Sequence, residues 1–122
     1  MAKKRILIVE DEEDVSQSLK SYFETRGMEV ATAVTGEEGL KRLASDKPDL
    51  VLLDMRLKEG LSGMEVLRRA KGAKSPARFI VLTAVTDRNV ADLALGLGAA
   101  AYLTKPFSLD SLDHLLQTHL QS

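Results

Sequence analysis

Three kinds of side chain in this chain could act together on one phosphoryl group: carboxylates, a hydroxyl and an ammonium. Asp54 ends the run Asp49-Leu50-Val51-Leu52-Leu53-Asp54. Glu10 and Asp11 follow Ile6-Leu7-Ile8-Val9, and Glu12, Glu13 and Asp14 come straight after them. Thr83 and Ala84 follow Phe79-Ile80-Val81-Leu82, and Thr104, Lys105 and Pro106 follow Ala99-Ala100-Ala101-Tyr102-Leu103. Carboxylates brought together repel one another, and a hard divalent cation is the usual remedy. Carboxylate oxygens, a backbone carbonyl and water suit octahedral Mg²⁺, and no neighbouring His or Cys favours zinc. Lys105 adds a positive charge and Thr83 a donor. Such a set could bind a phosphoryl group bridged to Mg²⁺, and a carboxylate can itself accept one as an acyl phosphate. Taken singly each residue has a plainer reading: an acid as a helix cap, a lysine as surface charge, a proline as a turn. Their shared position at successive strand ends sets them apart.

The elements that must hold them alternate strand and helix along the whole chain. Leu50–Leu53 and Ile6–Val9 are unbroken apolar runs, the pattern of strands buried on both faces of a parallel sheet. Helical spacing of Val15, Leu19, Tyr22 and Phe23 predicts a helix from Glu12 to Arg26, stopped by Gly27. Met28–Val34 alternates as a half-buried edge strand. Thr35 and Glu38 form a capping box for a helix that buries Leu40 and Leu43 and ends before Pro48. Residues 58–63 read as a loop, Glu65–Lys71 as a helix and Asp87–Leu97 as another, stopped by Gly98. Ser108 caps a last helix with Leu109, Leu112, Leu115 and Leu116 facing inwards. Five strands and five helices with right-handed crossovers predict a doubly wound α/β fold, flavodoxin-like, with a five-stranded parallel sheet in the order 2-1-3-4-5. In that order the first and third strands are neighbours, so Glu10, Asp11 and Asp54 converge at the carboxyl edge, where open α/β folds place their chemistry.

Composition narrows the function classes. A chain of 122 residues can bury a real core, and residues 1–122 are expected to form one domain. A formal net charge of −1 gives no push towards nucleic acid or anionic membrane. Lys3, Lys4 and Arg5 form only a short basic run. Absence of cysteine excludes disulfides and thiolate metal sites. No apolar stretch approaches the roughly 20 residues of a membrane helix. The N-terminus lacks the apolar core of a secretory signal, so a cytoplasmic location is expected.

The motifs Ile6-Leu-Ile-Val-Glu10-Asp11-Glu12, Asp49-Leu-Val-Leu-Leu-Asp54-Met-Arg56, Val81-Leu-Thr83-Ala84 and Gly98-Ala-Ala-Ala-Tyr102-Leu-Thr-Lys105-Pro106-Phe107, in that order and spacing, resemble the receiver domains of two-component response regulators over essentially the whole chain. The resemblance implies that Asp54 takes a phosphoryl group from a histidine kinase, a phosphotransfer protein or a small donor such as acetyl phosphate. It implies Mg²⁺ held by Asp11, Asp54 and the Arg56 carbonyl, with Glu10 acting through metal-bound water. Lys105 would pair with phosphoryl oxygens, the Ala84 amide would donate to them, and the Lys105–Pro106 peptide would be cis. Thr83 and Tyr102 would form the switch, biasing the face of the fourth helix, fifth strand and fifth helix towards an effector or a homodimer. Only self-phosphorylation and autodephosphorylation chemistry would be expected, with no direct contact to nucleic acid or membrane.

Several residues depart from the family pattern. Glu10 stands where Asp is more common, the loop after Asp54 is one residue longer, and Lys58 replaces a proline. Alanines occupy the positions before Tyr102 where acids are frequent. Arg56 and Val85 offer no side chain that would align a water for hydrolysis, so slow loss of the phosphoryl group is expected; decay of the phosphorylated form within seconds would overturn this. A haloacid-dehalogenase-type phosphatase would need an acid at position 56, where the chain has arginine. A nucleotide or flavin module would need a Gly- or Thr-rich loop after the first strand, where the chain has acids. A degenerate receiver acting as a scaffold is disfavoured by the intact Asp11, Asp54, Thr83 and Lys105.

Overall fold

The central strand β3 (Leu50–Asp54) is buried along its entire length, as its unbroken Leu and Val run requires. In the computed structural model, which describes residues 3–84 and 88–120, it lies between β1 (Arg5–Val9) and β4 (Arg78–Ala84). Edge strands β2 (Glu29–Ala33) and β5 (Ala101–Lys105) complete a five-stranded sheet ordered β2-β1-β3-β4-β5, with every pairing parallel. This is the doubly wound α/β order that the alternation predicts.

Strand periodicity divides the core into two layers. Leu7, Val9, Val51, Leu53, Phe79 and Val81 face α2 (Gly36–Asp46), α3 (Gly63–Gly72) and α4 (Arg88–Gly96). Ile6, Ile8, Leu50, Leu52, Ile80 and Leu82 face Leu19 and Phe23 of α1 (Glu13–Glu24) and Leu112 and Leu116 of α5 (Leu109–Leu120). Val15, Tyr22, Leu40 and Leu43 are only half-buried, along the margins of these layers.

Several boundaries move for physical reasons. Strand β5 begins two residues later than the alanine run suggests, because the Ala99 amide still donates to Ala94 O at the end of α4. Lys105 is therefore the last residue of the strand, and Thr83 and Ala84 likewise lie within β4. Helix α3 starts at Gly63 rather than Glu65, with the Ser62 hydroxyl accepting from the Glu65 amide at 3.1 Å. The Thr35 hydroxyl accepts from the Glu38 amide at 3.1 Å, but the Glu38 carboxylate accepts from the Val34 amide, one residue before the cap. Leu109, expected to face inwards, is 51% exposed. It sits in the first turn of α5 beside Val15 and Phe107, around an open groove rather than over the sheet. The start of the fourth helix at Asp87, and Val85, lie outside the described residues.

Candidate functional site

Each site residue is placed by the end of a strand. The Glu10 amide continues the ladder beyond β1 by donating to Ala33 O at 3.0 Å, and its side chain is fully buried. Asp54 closes β3 and is 4% exposed. Its Oδ1 accepts from the Arg56 amide at 2.9 Å and its Oδ2 from Lys105 Nζ at 3.2 Å. Lys105 also donates to both carboxylate oxygens of Glu10, at 3.0 Å each, and lies 3.9 Å from Glu12. One ammonium thus links acids from β1 and β3, although it comes from the far edge of the sheet.

Asp11 reaches in the other direction, accepting from the Lys58 amide at 2.8 Å. Glu37 accepts from the Leu61 amide at 3.2 Å. These two bonds pin the longer loop after Asp54, so the β1–α1 connection and helix α2 hold it without a proline. Gly60, at φ 73°, supplies the left-handed turn between them.

Glu10, Asp11 and Glu12 each bring one carboxylate oxygen within 4.8 Å of the other two. Burial first, and then the adjoining Asp54 carboxylate, push the Glu10 carboxyl up from its ordinary 4.5 to about 7, against the lowering by Lys105. Burial draws Lys105 down, but its bond to Glu10 and the charge of Asp54 outweigh this and leave it above its ordinary value. Negative charge therefore exceeds what one lysine neutralises. An oxygen-only donor set carrying surplus negative charge fits a hard divalent cation.

Glu10 has a consequence for stability. Its folded pKa lies above the unfolded value, so the native state binds the proton more tightly, and stability is lost as pH rises from about 4.5 through 7. Without divalent cations, Glu10→Gln should be stabilising above pH 7 by about 1–2 kcal/mol, the lost Lys105 pair offsetting part of the relief. The gain should vanish below pH 4.5, where both states carry the proton. Thermal unfolding across that range checks it; a constant difference at all pH values would show that charge is not the cause.

Thr83 is 2% exposed, and its hydroxyl makes no hydrogen bond among the described residues. Buried polar groups are nearly always paired, so an orphan beside a cluster of acids requires an explanation. Ala84 follows it at the strand end, partly exposed. Tyr102 is 37% exposed on β5. It pairs in register with Val81, and Thr104 with Thr83, so Tyr102 lies one step along the same face as Thr83. The Lys105–Pro106 peptide is cis. The side chain of Arg56 is exposed, while its amide serves Asp54.

Gly63 has a closer part in the site than its place in the loop suggests. A Cβ on Gly63 would overlap Asp54 O and stand 2.7 Å from Met55 Cα. The start of α3 therefore packs directly on the backbone of the candidate acceptor. In the sequence Gly63 stands out only as the glycine that follows Asp54 one residue later than in the family pattern; its packing on Asp54 is not legible there.

Comparison with known proteins bears on the family and the fold. A family model described as a response regulator receiver domain matches residues 6–117. The alkaline phosphatase synthesis transcriptional regulatory protein PhoP of Bacillus subtilis is 42% identical over 105 residues, covering 86% of this chain and 43% of that protein. Sporulation initiation phosphotransferase F of the same organism is 32% identical over 120 residues, covering 98% and 96%. The crystal structure of the BeF3-activated N-terminal receiver domain of Klebsiella pneumoniae RstA superposes with a TM-score of 0.89 at 30% identity, covering 98% and 100%. This chain thus spans less than half the length of the first of these relatives. No helix among the described residues is long and apolar enough to cross a membrane. Strand order, the acids at the carboxyl edge and a match over nearly all of the sequence lead to one assignment: the chain belongs to the response regulator receiver domain family of two-component systems.

Proposed function

We propose that Asp54 accepts a phosphoryl group from the phosphohistidine of a histidine kinase or phosphotransfer protein, or from acetyl phosphate. The observation that carries this reading is the buried, unpartnered hydroxyl of Thr83 beside an acceptor carboxylate already held by Arg56 and Lys105. A phosphoryl oxygen on Asp54 would give that hydroxyl its missing acceptor.

In the transfer, a carboxylate oxygen of Asp54 bonds to phosphorus as the bond to the donor nitrogen or oxygen breaks. The Arg56 amide on Oδ1 holds the carboxylate in one orientation, leaving Oδ2 on the side of Lys105. Lys105 is already charged and follows the developing charge onto the phosphoryl oxygens, aided by the Ala84 amide. Asp11, Asp54 and the Arg56 carbonyl would hold Mg²⁺, with Glu10 behind them through water. When bound, the ion supplies charge neutralisation that one lysine cannot.

Signal output follows from the position of Thr83. Drawing its hydroxyl towards Asp54 vacates space on the face that Tyr102 shares, and Tyr102 would turn inwards, altering the surface of α4, β5 and α5. An effector or a second copy of the chain would read that surface.

The direct test is intact mass after incubation with acetyl phosphate. One phosphoryl adduct that needs Mg²⁺ is expected; its absence with every donor, including a phosphorylated kinase, would leave a phosphorylation-independent scaffold. Tyr102→Ala should still form the adduct but lose most of the phosphorylation-dependent gain in partner binding, measured by titration of the phosphorylated protein. Unchanged binding would remove Tyr102 from the switch.

A further inference from the structure

The edge of the sheet opposite Asp54 carries a cleft unrelated to phosphoryl chemistry. Helices α2 and α3 meet closely near the carboxyl edge: a Cβ on Gly36 would stand 2.7 Å from Val66 Cγ2 and 2.8 Å from Leu61 O. At their other ends Ala44, Ala70 and Ala73 present only small side chains, and the helices leave a cleft of about 500 Å³ between them. Its walls include Leu40, Leu43, Pro48 and Pro76. This volume and mostly apolar lining are those of a small-molecule site.

The rim is cationic. Lys47, Arg69 and Lys74 line the cleft, and no acid does. Arg69 is held by Glu65, but Lys47 and Lys74 have no side-chain hydrogen bond or ion pair among the described residues. Both lysines adopt a left-handed backbone, at φ 48° and 59°, and they are the two non-glycine residues at positive φ among those described. Lysine is not favoured there, where glycine or asparagine sits more easily. Lys47 also borders an adjoining cavity of about 250 Å³ beside Lys4 and Arg78, where the one acid, Asp49, already accepts from the Arg5 amide. Positive charge is thus concentrated at one mouth of an apolar cleft.

We infer that the α2–α3 cleft binds a small amphipathic anion, its apolar body between Leu40, Leu43 and Ala70 and its carboxylate or phosphate between Lys47 and Lys74. The occupant is a single small molecule. The volume suits a ring system or short alkyl chain, and unpaired cations at the mouth complement one anionic group.

Amide shift mapping of the isotopically labelled whole protein tests this with 2-naphthoate and its neutral analogue 2-naphthamide. Naphthoate should give saturable shifts at Leu43, Ala44, Ala70 and Ala73, with naphthamide about tenfold weaker, as charge-assisted contacts are the stronger ones. Lys47→Asn with Lys74→Asn keeps a residue tolerant of the left-handed backbone and should lower naphthoate affinity to that of the amide. Ala44→Trp, at an exposed helical position lining the cleft, should abolish binding of both. Shifts confined to the exposed Leu93 and Tyr102 face, no saturation, or unchanged binding by Ala44→Trp would overturn the site. Equal affinity for the two probes, unaffected by the lysine substitutions, would overturn the anionic requirement.

Discussion

Asp54→Asn should abolish the phosphoryl adduct while leaving the protein folded. Asparagine matches aspartate in shape, so its side-chain oxygen can keep the bond from the Arg56 amide at the end of β3. What it loses is charge: a neutral amide oxygen is a far poorer nucleophile than a carboxylate, and it cannot form an acyl phosphate. Stability should not fall sharply. Asp54 is one of the groups that raises the Glu10 carboxyl, and neutralising it removes repulsion as well as an ion pair with Lys105. Intact mass with acetyl phosphate and Mg²⁺ reads the chemistry, and thermal unfolding reads the fold. Loss of adduct at unchanged stability assigns the acceptor. An adduct that persists in the variant would place the acceptor on another residue, with Asp11 and Glu10 the first to examine.

The second large effect is expected at Gly63. Adding one methyl group there drives it into Asp54 O and the Met55 backbone, where neither neighbour is the end of a flexible side chain. Relief requires α3 to move away from β3 or the strand end to bend. Gly63→Ala should therefore cost about 2–3 kcal/mol, the upper part of the range for overpacking a close-packed site. Because the displaced atoms belong to the acceptor itself, phosphorylation should slow as well. Gly72, the last residue of the same helix, provides the contrast, since a Cβ there would meet nothing within 4 Å. Gly72→Ala should be neutral or stabilising by about 0.5–1 kcal/mol, from helix propensity alone. Denaturant unfolding of the pair separates contact from propensity, and equal effects would show that packing on Asp54 is not what Gly63 provides.

The sequence alone determined the layered α/β architecture, because four apolar runs of strand length alternating with amphipathic stretches can bury their surfaces in few other ways. It also determined that acids, a hydroxyl and a lysine gather at one sheet edge, since strands in a parallel sheet all end on the same side. Local chemistry was legible too: Thr35 and Ser108 both use their hydroxyls at helix starts, as their residue types suggest. What the pattern could not reach is anything set by the distance between elements. Leu109 shares the helical face of Leu112 and Leu116, yet it stays half-exposed at its end of α5. Lys105 bonds to Glu10, 95 residues away, although β3 and β4 lie between their strands, and no local pattern encodes that reach. The loop after Asp54 owes its shape to Asp11 and Glu37, which the sequence places far from it. The intimacy of Gly63 with Asp54 and the gap between α2 and α3 are both matters of how closely helices sit on the sheet and on each other. Periodicity states which face of an element is buried, whereas the atoms opposing that face are known only once the elements are packed.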